Sequence, residues 1–179
     1  MTKNTYLVNA NNKHAVRDFL FSYFRFNSVV GLAGPDINDY LKWCESKGYN
    51  NIEVWENEPS VMFKQLTEVK TPVRYRFGNI LDANLSKNVL FDLDYCVSVR
   101  YMKEHIQKFT NNFIMTFSTR IGVQETIDNF FKFRGEKITG WNNIKGPGLR
   151  NIVFSTNLGK YLFITYFDTS AMCCIAKIK

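Results

Sequence analysis

The sequence predicts an α/β fold, a doubly wound and mostly parallel sheet with helices on both faces, and three observations predict it. Residues 28–59 read as strand, glycine turn, helix, strand and acidic tip. After them, short apolar runs keep alternating with segments of helical period, the pattern of βα units feeding a parallel sheet. At the end, two apolar runs flank Asp168-Thr169-Ser170 and read as an antiparallel hairpin.

In chain order, Asn11 and Asn12 are placed to cap a helix from about Lys13 to Phe26. Its apolar side, Val16, Phe19, Leu20, Tyr23 and Phe24, would cover one sheet face, which makes residues 1–27 a helical cover of one domain spanning 1–179. Ser28 to Ala33 is a first strand, broken by the turn signal Gly34-Pro35. Asp36 then caps a helix with Ile37, Tyr40, Leu41 and Cys44 on one face, and Gly48 closes it. The second strand, Ile52 to Trp55, runs into Glu56-Asn57-Glu58-Pro59. A right-handed βαβ unit with glycine at its first turn and a carboxylate at its second strand tip is suited to a nucleoside. The glycines open backbone N–H groups at the helix start to a ligand, and a carboxylate accepts both ribose hydroxyls. Glu56 follows Gly34 at roughly the 20-residue spacing of a ribose-binding acid.

A helix through Val61, Met62 and Leu66 stops before Thr71-Pro72, since the residue before proline avoids the helical region. Val73 to Phe77 alternates apolar and basic residues as an edge strand does, and a turn follows at Gly78-Asn79-Ile80-Leu81-Asp82. The fourth strand, Asn88 to Leu93, places Asp92 and Asp94 at its carboxyl end, the crevice where such sheets bind ligands. A helix from about Val99 to Phe109, a strand from Asn112 to Ser118 and a helix from Gln124 to Phe133 come next. Between the last two, Arg120 either faces a phosphate or pairs with Asp92. Residues 136–150 hold Gly140, Gly146, Pro147 and Gly148 with Lys137, Trp141, Lys145 and Arg150, and read as a basic loop that contacts nucleic acid. Asn151 to Leu158 fits helix or strand and is read as helix. Tyr161 to Phe167 and Met172 to Ile178 form the closing hairpin.

Gly31-Leu32-Ala33-Gly34-Pro35-Asp36 with Glu56 resembles the cofactor loop and ribose acid of the class I S-adenosylmethionine-dependent methyltransferases. The acid that usually precedes the first glycine is replaced here by Val29-Val30. The resemblance implies a seven-stranded sheet of order 3-2-1-4-5-7-6 and S-adenosylmethionine as cofactor, held by Gly31, Ala33, Gly34, Glu56, Asn79, Ile80 and Asp92. Asn79 would meet the adenine amine through its side-chain oxygen, with Ile80 against the ring. Asp92-Leu93-Asp94-Tyr95 resembles the Asp/Asn-Pro-Pro-Tyr/Phe stretch of amino-group methyltransferases acting on DNA, without its prolines. It implies Asp94 and Tyr95 as catalytic residues, the acid accepting from an exocyclic amine and the ring stacking on a base. Cytosine C5 chemistry is disfavoured, because the chain has no Pro-Cys pair.

Composition bounds the rest. The chain of 179 residues is long enough to bury about two-thirds of its unfolded surface. Its net charge is +7, and residues 120–179 carry nine basic and four acidic side chains, which points to a polyanionic partner. Cys44, Cys96, Cys173 and Cys174 form no CxxC pair and read as buried, reduced thiols; with only His14 and His105 beside them, no metal is expected. No apolar run is long enough for a membrane span and Met1 to Asn12 lacks an apolar core, so a cytoplasmic protein is expected. These readings converge on a methyltransferase acting on DNA or RNA at an amino nitrogen, with a protein partner for target recognition as one way to make up for the small size. Two alternatives stay open: a catalytically degenerate fold that serves as a binding or inhibitory protein, and a small-molecule methyltransferase.

Overall fold

The computed structural model describes residues 10–34, 36–85 and 89–178, so Pro35 and Asn88 lie outside the described residues. Helices α1 (Ala10–Phe21), α2 (Ile37–Ser46), α3 (Pro59–Glu68), α4 (Lys103–Lys108) and α5 (Val123–Arg134) surround one sheet. Its strands are β1 (Ser28–Gly31), β2 (Asn51–Glu56), β3 (Arg74–Phe77), β4 (Val89–Ser98), β5 (Phe113–Ser118), β6 (Ile138–Asn143), β7 (Arg150–Thr156), β8 (Gly159–Phe167) and β9 (Ala171–Lys177). The order across the sheet is β3-β2-β1-β4-β5-β9-β8-β7-β6. The expected seven-stranded sheet is therefore corrected to nine strands. Its parallel half, β1 to β5, has the expected arrangement, with β3 at the edge. β9 joins β5 antiparallel, with β8 beyond it, and the hairpin of β6 and β7 then extends the sheet.

That hairpin overturns two expectations. Within 136–150 the residues 138–143 form strand β6, and 151–158 are mostly strand β7 rather than helix. Alternation explains the second: Ile152 and Phe154 join the core on the α5 side while Val153, between them, joins the opposite core. Glycine obscured the first. Gly140 sits at a register shift in the β6–β7 ladder, and a Cβ on Gly148 would meet Ile164 Cγ2 at 2.3 Å and Thr165 O at 2.6 Å, so these glycines serve a bulge and a close packing contact. Two smaller corrections concern helices. Asn11 and Asn12 lie within α1 rather than ahead of it, and residues 99–109 split into a 3-10 turn (Val99–Tyr101) and α4.

Two cores, one on each sheet face, position the site. Val29, Leu90, Ile114, Leu162 and Ile164 pack against Val16 and Leu20 of α1 and Ile37, Leu41 and Cys44 of α2. On the other face Phe91, Leu93, Phe113, Phe117 and Phe163 pack against Ile106 of α4 and Ile127, Phe130 and Phe131 of α5. Cys44, Cys173 and Cys174 are buried, but Cys96 is exposed, against expectation. Among the described residues no helix is long and apolar enough to cross a membrane.

Candidate active site

The parallel strands end along one edge, and the loops there enclose a cavity of about 420 Å3 lined by Leu32, Gly34, Glu56, Asn79, Ile80, Asp94, Tyr95, Met102 and His105, among others. Asp36 caps α2 by accepting from the Asp39 N–H at 3.2 Å, which fixes the helix start beside the glycine turn. The turn is also held from behind: Gln65, fully buried on α3, donates to Gly34 O and accepts from the Tyr75 hydroxyl. At the tip of β2, Glu56 Oε1 accepts from the N–H groups of Asn57 and Glu58, each at 2.9 Å, so the carboxylate is preset. Asn79 Oδ1 accepts from the Leu81 N–H at 3.0 Å and caps a short 3-10 turn (Ile80–Asp82). Gly31 lines no part of this cavity. A Cβ there would meet Tyr40 Oη at 2.0 Å, so glycine is needed for close packing of α2 on β1.

Strand alternation separates the two acids from the aromatic. Leu90 and Asp92 point to the face that α1 covers, whereas Phe91, Leu93 and Tyr95 join the core on the α4–α5 side. Asp92 is fully buried and does not line the cavity. It forms an ion pair with Arg17 of α1, Oδ2 lying 3.3 Å from Nη2, although neither of its oxygens has a hydrogen bond. Arg120 is thus not its partner. Burial raises the Asp92 pKa despite Arg17. Asp94, at the rim, meets Lys13 Nζ at 2.6 Å and Arg17 Nη2 at 3.4 Å, and its Oδ1 accepts from the Cys96 thiol at 2.8 Å. Burial would raise its pKa, but Arg17 and Lys13 outweigh that and hold it below the usual carboxylate range. Desolvation around its sulfur and the neighbouring Asp94 push the Cys96 thiol up to about 12, although the residue as a whole is exposed. Cys96 has φ 53°, in the left-handed region, where the β4–β5 register breaks between Asp94 and Ser98.

A second hollow of about 270 Å3 shares Leu32, Gly34 and Asp94 with the first and reaches beneath α1 to Ala33, Tyr40, Trp43 and Arg17. Arg17 Nε and Tyr40 Oη are buried there without a hydrogen-bond partner. The guanidinium also lies over the rings of Tyr40 and Trp43, at 5.6 and 5.4 Å.

The basic residues expected to form one loop are divided. Arg120 follows β5, Lys145 lies between β6 and β7, and Arg150 starts β7 opposite Thr165, so these three belong to the same carboxyl edge as the cavity. Arg150 lines a separate hollow of about 620 Å3 with Thr119 and Leu149. Trp141 stands mid-strand on β6 and is 60% exposed. Lys137 precedes β6 at the opposite end of the sheet.

Sequence reasoning missed Lys13, Arg17 and His105. The first two were visible as a basic i,i+4 pair beside the apolar stripe of α1. His105 carried no signal, because a lone histidine on a short helix does not reveal what its ring faces.

No family model and no curated protein matches this chain. Solved structures do. A methyltransferase dependent on S-adenosylmethionine from Leishmania major matches with a TM-score of 0.51 and 14% identity, over 93% of this chain and 70% of that one. A ribosomal-protein methylase from Lactobacillus delbrueckii subsp. bulgaricus matches with a TM-score of 0.50 and 8% identity, over 94% and 79%. The chain spans about half, 52%, of the length of human N-acetylserotonin methyltransferase, a looser likeness at a TM-score of 0.49 and 11% identity over 94% of this chain. With the parallel strands and the antiparallel strand beside β5 already described, the first two likenesses show one thing: the chain has the fold of the class I S-adenosylmethionine-dependent methyltransferases.

Proposed function

We propose that this protein binds S-adenosylmethionine in the 420 Å3 cavity and methylates an amino nitrogen of a nucleic acid. One observation supports the reading most. Glu56, Asn79 with Ile80, and Asp94 with Tyr95 come from three separate strand ends and line a single cavity at the crevice of a methyltransferase-type sheet. The residues fit the cofactor. Glu56 offers a preset acceptor for two ribose hydroxyls, Asn79 a polar edge for adenine, and Ile80 an apolar wall. When bound, S-adenosylmethionine supplies a methyl group on a positive sulfur, which keeps the carbon–sulfur electron pair as the acceptor lone pair forms the new bond. The chain's task is alignment, since holding acceptor and methyl in register accounts for most of what such a reaction needs. Arg120, Lys145 and Arg150 give the same edge a positive rim for phosphates, and exposed Trp141 offers a ring on which a base can stack.

A specific observation favours a second reading, a binding protein without catalysis: both oxygens of Asp94 are already engaged, by Lys13 and by Cys96. Calorimetric titration with S-adenosylmethionine, followed by transfer of labelled methyl to DNA and RNA, separates the readings. Binding with transfer is expected. Binding without transfer would favour the second reading, and absence of binding would sink the enzyme reading.

A further inference from the structure

We propose that Tyr95 and His105 form the acceptor pair for the N–H of the methylated amine: His105 Nδ1 takes the Tyr95 hydroxyl hydrogen, leaving Tyr95 Oη with only lone pairs for the cavity. The inference rests on the methyltransferase reading above and adds to it a residue and a role. Tyr95 Oη and His105 Nδ1 are 2.8 Å apart, and the rings meet edge to face with centroids 4.9 Å apart at 80°. Phe117 lies nearly parallel to the Tyr95 ring at 5.9 Å and braces it from β5. Both residues line the cavity that holds Glu56 and Asp94.

An aromatic amine is a poor nucleophile until an acceptor engages its N–H. Its lone pair is delocalised into the ring, and an acceptor on its N–H draws the pair toward nitrogen. Asp94 is poorly placed to serve, because Lys13, Arg17 and Cys96 already surround its two oxygens. A tyrosine hydroxyl is both donor and acceptor, and it becomes an acceptor alone when its hydrogen is committed elsewhere. A neutral imidazole protonated on Nε2 provides that commitment at Nδ1. Burial keeps His105 neutral, its pKa lowered from the ordinary histidine value although Glu104 on the same helix works the other way. The other charged groups lining its cavity are Glu56 and Asp94.

The same pair gives the departing proton a route. As the nitrogen bonds to the methyl carbon it carries a positive charge, and its proton passes to Tyr95 Oη while the Tyr95 proton passes to His105 Nδ1. The amine is then neutral, Tyr95 is again a hydroxyl, and His105 is an imidazolium that returns its proton to solvent. Below the His105 pKa, Nδ1 is protonated beforehand and donates to Tyr95. The hydroxyl then turns its hydrogen to the cavity, and the acceptor is lost. Transfer therefore falls on the acid side, below the ordinary histidine range.

The test begins with a readout independent of turnover. Nitrogen-15 NMR of the full chain should show His105 Nδ1 unprotonated and accepting, and Tyr95→Phe should shift that resonance and raise the His105 pKa. A protonated Nδ1 in the parent at neutral pH overturns the pair. In the labelled-methyl assay with mixed DNA and RNA oligonucleotides, His105→Leu and Tyr95→Phe should each lower transfer on the order of tenfold, about the loss of one hydrogen bond, and the double variant no further. His105→Asn, whose side-chain oxygen can replace Nδ1 as acceptor, should restore most of the loss and abolish the acid limb. Additive losses, or weakened S-adenosylmethionine binding in His105→Leu, would overturn the pair. A parent with the expected tautomer that binds S-adenosylmethionine and transfers no methyl overturns the reading beneath it, and the pair's role with it.

Discussion

Glu56 and Glu58 stand two residues apart at one strand end, yet their side chains have different partners. Glu56 accepts two backbone N–H groups and lines the cavity, whereas Glu58 caps α3 by accepting from the Ser60 N–H at 3.4 Å and also takes the Ser60 hydroxyl at 3.0 Å. Glu56→Ala should weaken S-adenosylmethionine binding by about 1.5 to 3 kcal/mol for each charged hydrogen bond lost. Glu58→Ala should leave that affinity alone and cost about 1 kcal/mol of stability as a lost cap. Calorimetry on both variants decides, and the reverse pattern would show the wrong acid was chosen. Away from the cavity, Glu136 is fully buried and accepts from Tyr161 at 2.5 Å, Thr156 at 2.7 Å and Arg134 at 3.1 Å. Burial would raise its pKa, but Tyr161, Thr156 and Arg134 lower it below the ordinary 4.5. Its contribution is thus complete above that ordinary value and lost as pH falls through the lower folded one. Glu136→Gln strands the Arg134 charge and should cost about 3 kcal/mol in urea unfolding at neutral pH, with a flatter fall toward acid. At this scale the strand-end carboxylates were legible and their facing was not. Asp92 was expected at the cofactor and Asp94 at the acceptor, both in the crevice, but Asp92 sits one pleat deeper, where α1 closes over it.

Among the elements, α1 is tied to the site by charge as well as by packing. Arg17 is 6% exposed and shares its guanidinium between Asp92 and Asp94, and burial is outweighed by those two carboxylates, so its pKa is raised. Arg17→Leu leaves Asp92 buried without a counter-charge and should destabilise by about 3 to 5 kcal/mol, while adding Asp92→Asn should recover much of that. Denaturant unfolding measures both, and a single variant within 1 kcal/mol of the parent would mean that water reaches Asp92. The helix itself was readable from its apolar stripe; its ion pairs join residues far apart in the chain and leave no local mark. The hairpin of β6 and β7 was misread for another reason. Its glycines and asparagines have the composition of a loop, and only pairing with β8 makes strands of them.

For the molecule as a whole, the parallel half was legible because every βα unit carries its own punctuation, from Gly34 and Asp36 to Gly78 and Gly122. The net charge of +7 gains a location from the fold. Arg120, Lys145 and Arg150 share the cavity edge, and Lys137 does not. Neutralising the first three should lower the log–log salt slope of nucleic-acid binding by roughly 0.7 to 0.9 per lost phosphate contact, and Lys137→Ala should leave it unchanged. A parent isotherm indifferent to salt would remove nucleic acid from the partners. The sheet order also bears on how the chain is made. Among the described strands β9 lies between β5 and β8 and joins the parallel and antiparallel halves of the sheet. Until β9 has emerged from the ribosome, β5, whose residues are all buried in the finished fold, presents an open, strongly apolar edge. Because β5 is complete at Ser118 and β9 begins only at Ala171, the nascent chain carries the β5 seam unpaired over that interval, which is when chaperones matter most to it.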